Sequence, residues 1–247
     1  RMAHAHGGGV LRTSMNATSE TIAIDVIVPV YRGLGPTRRC IQSLRSASQA
    51  TPYELVLVND CSPEPDLEDY LASLGGLPHV TVLENKHNLG FVASANLGMS
   101  MHPGRDVVLL NSDTEVANDW LDRLRACALS RREIGTVTPF SNNATICSYP
   151  DFCRESELPH GVGLGDLDRI FRRVNAGRVI EIPTAIGFCM YIKRACLDEV
   201  GLFDAERFGK GYGEENDFSM RAAEKGWSNV LCADTFVFHQ GGASFQA

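Results

Sequence analysis

Short apolar runs alternate with segments of helical period through the first 140 residues, and few architectures accept that pattern. Residues 22–30, 53–59, 80–84, 107–110 and 134–139 form runs of strand length. Between them, residues 36–48 place Cys40, Ile41 and Leu44 at helical spacing. Leu67, Leu71 and Leu74 repeat that spacing, and so do residues 120–129. The alternation predicts an α/β fold with a mostly parallel central sheet and flanking helices on both faces. Past Phe140 the texture changes. Residues 141–178 carry Asn142, Asn143, Pro150, Pro159 and a glycine-rich stretch at 161–165, which reads as a long loop ahead of a helix at 167–175. A strand pair at 179–183 and 188–192, helices at 194–200 and after Gly213, and a last strand at 229–233 complete the chain. The expected organisation is a flexible tail over 1–20, a nucleotide-binding half over 21–139, and an acceptor-binding half of the same domain over 140–247.

Composition narrows the class of function. The 247 residues, 44% apolar and 21% charged, suit an ordinary globular protein with a sizeable core. A net charge of −7 argues against a nucleic-acid binder. Arg169, Arg172, Arg173 and Arg178 form a local basic cluster, either a solvated helix face or a lip over a phosphate-rich or membrane-adjacent substrate. The eight cysteines have neither Cys-x-x-Cys pairs nor dense spacing, and several sit in apolar runs, which favours a reducing cytoplasm. No stretch approaches the roughly 18 continuous apolar residues of a membrane span.

Three places concentrate polar chemistry. The run ending at Leu110 gives way to Asn111, Ser112 and Asp113, which would emerge at the carboxyl end of a strand, where open α/β sheets hold ligands. Such an end suits Mg²⁺ or Mn²⁺ carried with a phosphate, or it is a turn built on Asx chemistry. Asp60 ends the second strand and could accept hydrogen bonds from a base or ribose, or cap residues 61–66. Glu214, Glu215 and Asp217 open a helix behind Gly213, where the helix dipole favours carboxylates; Asp217 is also placed to pair with Arg221 one turn on. Gly33 and Gly35 imitate a dinucleotide fingerprint, but Arg38 stands where its third glycine belongs and Pro36 fills the turn.

Five segments together resemble the family-two glycosyltransferases of GT-A fold, in particular their rhamnosyltransferase-like members. These are residues 26–31, 56–62, 88–91 with Asn96 and Gly98, 109–116, and 211–218 followed by 238–244. The resemblance implies that Pro29, Tyr31 and Asp60 hold the nucleobase and ribose. It places Asn88, Gly90 and Asn96 along the donor pocket; residues 88–90 read without it are a strand-to-helix turn. Asn111-Ser112-Asp113 matches the family's Asp-x-Asp element with Asn for the first acid. Asp113 becomes the surest ligand of a divalent cation (Mn²⁺ or Mg²⁺), Asn111 and Ser112 line the nucleotide site, and His239 falls at a further metal position. In the Glu-Asp-x-Asp motif the base position is taken here by Glu215, with Glu214 and Asp217 as alternatives.

What the resemblance implies is a cytoplasmic, metal-dependent, inverting transferase. It would move a sugar from a UDP- or dTDP-sugar to the hydroxyl of a saccharide or lipid-linked saccharide, in the cytoplasm or at the inner face of the plasma membrane, in the assembly of a bacterial surface polysaccharide or glycolipid. Residues 141–178 would act as a lid, and residues 186–190 would lie along the acceptor site. Two rivals remain: a GT-A-like module that binds nucleotide or sugar without turnover, and a sugar nucleotidyltransferase, for which the basic phosphate loop after the first strand is poor.

Overall fold

The computed structural model describes residues 23–241. The expected tail over 1–20, and residues 242–244 of the last resembling segment, lie outside the described residues. In chain order the elements are β1 (Ile24–Val30), α1 (Leu34–Ser46), β2 (Tyr53–Asn59), α2 (Pro65–Leu74), β3 (Val80–Glu84), α3 (Phe91–Met99), β4 (Asp106–Leu110), β5 (Thr114–Glu115), α4 (Trp120–Ser130) and β6 (Ile134–Phe140). They continue through a 3₁₀ turn at Thr145–Cys147, α5 (Leu164–Asn175), β7 (Val179–Glu181), β8 (Cys189–Ile192), α6 (Arg194–Val200), α7 (Ala205–Phe208), α8 (Glu214–Glu224), β9 (Ser228–Phe236) and β10 (Phe238–His239).

The main sheet has eight strands in the order β3-β2-β1-β4-β8-β6-β9-β7, in which β8 and β7 run against the rest. The chain steps outward from β1 to β3, and α3 then carries it back across β1 to β4. That reversal opens a crevice beyond the carboxyl ends of β1 and β4, the usual ligand position in such sheets. The last β1–β4 pair is Ile27 with Leu109, so Pro29 sits in the stretch of β1 that β4 no longer borders.

Both faces of the sheet are covered. Val26 and Val28 of β1, Leu55 and Leu57 of β2, and Val108 and Leu110 of β4 join a core with α1, α2 and α4. The alternate residues Ile27, Val56, Val58, Val107 and Leu109 pack on the other side with α3, α6 and α8. Strands apolar at every position become strands buried on both faces. At Gly98, a Cβ would fall 2.4 Å from Ile27 Cγ2, so the glycine lets α3 lie against the sheet. Beneath the sheet, Arg105 bonds Asp25 and Glu54 (2.8 Å each), and His102 Nδ1 lies 3.0 Å from Asp25 Oδ2. Asp25, Glu54 and His102 have the spacing of a metal site, but the Arg105 guanidinium already pairs with both carboxylates.

Two expectations are corrected. The strands at 179–183 and 188–192 are not a pair: β8 is buried at every residue and enters between β4 and β6, while β7, with Ile180 and Glu181 exposed, takes the edge beside β9. Residues 141–178 are also not one lid. Asp168 at the inner face of α5 accepts from Arg123 Nη2 (2.6 Å), Asn118 Nδ2 (2.7 Å) and Phe236 N (3.0 Å), and Phe171 packs on Phe140, Tyr149 and Phe236. Those bonds make α5 part of the body of the fold.

Candidate active site

The first pocket lies in the crevice at the sheet's reversal. Pro29 and Tyr31 line it from the end of β1, Asp60 from the end of β2, Asn88 and Gly90 from the turn before α3, and Asn111 and Ser112 from the end of β4. Asp60 is buried and its carboxylate shapes the wall: Oδ1 accepts from Asn85 Nδ2 and Leu89 N, and Oδ2 from Gly90 N, all at 2.8 Å. The expected cap toward 61–66 is therefore directed at 89–90 instead. Gly90 has φ 86°, a region that favours glycine, and a Cβ there would fall 2.5 Å from Lys210 Cα. Within this pocket the buried Asn88 Oδ1 and Ser112 Oγ have no hydrogen-bond partner among the described residues. Buried acceptors and hydroxyls left without partners are uncommon and point to a polar ligand.

Asn96 is not a pocket residue. Its Nδ2 donates to Phe203 O (2.8 Å) and its Oδ1 accepts from Phe203 N (3.0 Å), so the amide ties α3 to the segment before α7. The Gly33 turn holds no phosphate either, because the Gly33 and Leu34 amides, which a phosphate would need, donate to the Glu64 carboxylate.

A second pocket adjoins the first through Phe91 and Asn111, and is lined further by residues 143–145 and 186–188, Glu214, Glu215 and His239. His239 arrives there because β10 pairs antiparallel with β5, setting His239 opposite Thr114 across more than 100 residues of chain. The backbone of His239 is gripped by Asn142, whose Nδ2 donates to His239 O (2.9 Å) and whose Oδ1 accepts from His239 N (2.8 Å). The ring stacks on Phe188 with centroids 5.4 Å apart. Its Nδ1 lies 2.7 Å from Asn143 O; a carbonyl only accepts, so Nδ1 carries a proton and Nε2 is the atom turned to Asp113 Oδ1 at 3.3 Å and Asn111 Nδ2 at 3.4 Å. Burial disfavours the imidazolium, but the Asp113 carboxylate favours it more and the pKa of His239 is raised. An imidazole oriented by a carbonyl beside a buried carboxylate is a donor pair suited to a divalent cation.

Glu214 and Glu215 enter the same pocket from the first turn of α8, where the chain turns sharply at Gly213 (φ 98°). Both Oε2 atoms are buried without a hydrogen-bond partner among the described residues. Burial, with the charge of Glu215, pushes the Glu214 carboxyl up to about 7. The Glu215 carboxyl faces Gly187, where an added Cβ would lie 3.9 Å from Glu215 Cδ. Asp217 points elsewhere. Its carboxylate accepts from Arg221 Nε (2.8 Å), the pairing expected one turn on, and lies 3.6 Å from Arg207, outside the pocket. Sequence reasoning passed over Asn142, Asn143 and Lys210 as site residues, while Phe188 lies in the expected acceptor-site stretch. For the asparagines a turn-like dipeptide was the sole signal, and for Lys210 its two flanking glycines.

A mostly parallel sheet with a switch-point crevice running into an acidic pocket is an α/β domain of GT-A architecture. The chain belongs to glycosyl transferase family 2, whose model matches residues 25–201. It is 26% identical over 211 residues to polypeptide N-acetylgalactosaminyltransferase 14 of Homo sapiens, covering 81% of this chain and 37% of that protein. It is likewise 26% identical over 249 residues to the O-antigen biosynthesis protein RfbC of Myxococcus xanthus, covering 92% of this chain and 18% of that protein. The chain thus spans well under half the length of these relatives. In fold it is similar to the crystal structure of GalNAc-T7 with UDP, GalNAc and Mn²⁺, at a TM-score of 0.67 and 18% identity, over 90% of this chain and 44% of that one. Among the described residues no helix is long and apolar enough to cross a membrane.

Proposed function

We propose that this domain is an inverting, metal-dependent glycosyltransferase that moves a sugar from a nucleotide-diphosphate sugar, UDP- or dTDP-linked, to a saccharide or lipid-linked saccharide hydroxyl. The observation that carries the proposal is the continuity of the two pockets at Phe91 and Asn111, with His239, in contact with Asp113, and Glu214 and Glu215 lining the adjoining chamber. In this reading Pro29, Tyr31 and Asp60 receive the nucleoside, with Asn88, Gly90 and Ser112 beside it. Asp113 Oδ1 and His239 Nε2 hold the cation, with Asn111 adjacent. When bound, the cation supplies Lewis-acid neutralisation of the departing diphosphate. Glu215 accepts the proton of the attacking hydroxyl as its oxygen bonds the anomeric carbon from the face opposite the leaving group, which inverts that centre. Asn142 and Asn143 keep His239 in place. RfbC's description and the Mn²⁺ and UDP bound to GalNAc-T7 support the choice of surface-polysaccharide assembly and of a metal-linked uridine donor; dTDP-rhamnose is the alternative donor that the sequence resemblance favours.

The test is a thermal-shift panel of nucleoside diphosphates and nucleotide sugars with Mn²⁺ and with chelator, followed by turnover of the best binder. A metal-dependent rise in melting temperature selective for one base is expected, because a ligand that binds only the folded state stabilises it. In Glu215→Ala, turnover should fall by about 10²- to 10⁴-fold while the shift persists. Binding without turnover in the wild type would instead establish a nucleotide-binding module, and pyrophosphate release from a nucleoside triphosphate would establish a nucleotidyltransferase.

A further inference from the structure

We propose that Lys210 binds the diphosphate of the donor and stabilises it as it departs, an inference that rests on reading the first pocket as the donor site. Lys210 is the cationic residue among those that line this pocket. It comes from the segment that leads into α8, whereas the other lining residues come from strand ends and from Gly90 and its neighbours.

Its position is built into the backbone. Phe91 N donates to Lys210 O at 3.2 Å. A Cβ on Gly90 would fall 2.5 Å from Lys210 Cα and 3.0 Å from its Cβ and Cγ, so the stem of the lysine lies against a residue that must be glycine. Gly209 (φ 53°) and Gly211 (φ 140°) flank it in conformations that L-residues rarely adopt. Three glycines thus serve to bring one lysine over the pocket. Three residues after Gly211, the same segment delivers Glu214 and then Glu215 to the second pocket, so one stretch of backbone carries both the base and the cation.

The electrostatics require such a group. Glu215 in the second pocket and Asp113 beside His239 bring carboxylates close to the site, and a diphosphate entering it is anionic too. As the acceptor oxygen bonds the anomeric carbon and gives its proton to Glu215, the electron pair of the broken carbon–oxygen bond passes to the diphosphate. A lysine ammonium, a compact charge with three rotatable donors, can follow phosphate oxygens while that charge grows. Asn111 is neutral where the family has an acid, which removes one carboxylate from that wall.

The experiment is calorimetric titration of wild type and Lys210→Met with UDP, uridine, dTDP and thymidine, each with Mn²⁺ and with chelator. The wild type should prefer the diphosphate to its nucleoside even with chelator. In Lys210→Met, affinity for the diphosphate should drop about tenfold with nucleoside affinity unchanged, and Lys210→Arg should recover part of the loss. In turnover, kcat should fall more than KM rises, since the charge matters most at the transition state. A Lys210→Met variant that binds both ligands as the wild type does overturns the role of the lysine alone. A wild type with no preference for diphosphate over nucleoside under either condition overturns the donor-site reading itself.

Discussion

At the scale of single residues, Glu214 gives the sharpest electrostatic signature. Its carboxyl titrates near 7 in the folded chain against an ordinary 4.5, chiefly because it is buried. Between those values the folded state holds a proton that the unfolded state has lost, so stability falls as pH rises through the window. Glu214→Gln removes that penalty. Its stability advantage over the wild type should be absent at pH 4, grow through pH 5 to 7, and level off above pH 8 at roughly 1–3 kcal/mol, as read by denaturant melts. An advantage independent of pH would show that the side chain is not titrating in this way. Asn142 illustrates a different residue-scale role. It touches no reacting group, yet both ends of its amide hold the backbone of His239.

At the scale of elements, the docking of α5 depends on one buried pair. Asp168 is fully buried and bonds Arg123, Asn118 and the Phe236 amide, while Arg123 is also held by Asp119 Oδ1 at 3.1 Å. Asp168→Ala strips a buried guanidinium of its main counter-ion, which should cost roughly 3–5 kcal/mol in chemical denaturation. Phe236 ends β9 and leads directly into β10 with His239, so the same variant should also weaken Mn²⁺-dependent binding of a nucleotide, while metal-free nucleoside binding persists. An unaltered metal dependence would mean that α5 does not brace His239. The basic cluster on this helix is partly neutralised: Arg169 pairs with Asp166, and Arg172 with Asp119 at 3.1 Å. As a membrane-facing lip, one of its two expected readings, it carries less free charge than its sequence promised.

At the scale of the whole molecule, stability and chemistry occupy opposite ends of the sheet. Asp25, Glu54, His102 and Arg105 form their network where β1, β2 and β4 begin; both pockets open where these strands end. Distant sites act additively. Arg105→Ala should therefore lower stability by roughly 2–3 kcal/mol, since it leaves the Asp25 carboxylate buried with His102 alone, and leave nucleotide affinity unchanged. A loss of affinity equal to that caused by a pocket variant would contradict this separation. The same geometry accounts for the sheet's tolerance of Pro29, which lies beyond the last rung shared with β4 and opens the crevice.

Much of this was legible in one dimension. Apolar runs of strand length, helical spacing between them, and polar residues at the run ends specify β1 to β4, α1, α2 and α4, because local periodicity and burial on both faces leave little freedom. The same logic placed Asn111, Ser112 and Asp113 at a strand end and Glu214 and Glu215 in a first helical turn. Tertiary structure decided the rest. Periodicity carries no information on which strands become neighbours, so β7 and β8 parted company. Nor does it reveal which partner a polar side chain takes, so Asn96 left the pocket for Phe203, while Asp217 took the Arg221 pairing that its spacing offered. The meeting of His239 with Asp113 depends on β5 and β10, two residues each, too short to leave a pattern. Lys210 reaches the first pocket through backbone contact with Gly90, an approach between distant segments that only the folded chain defines.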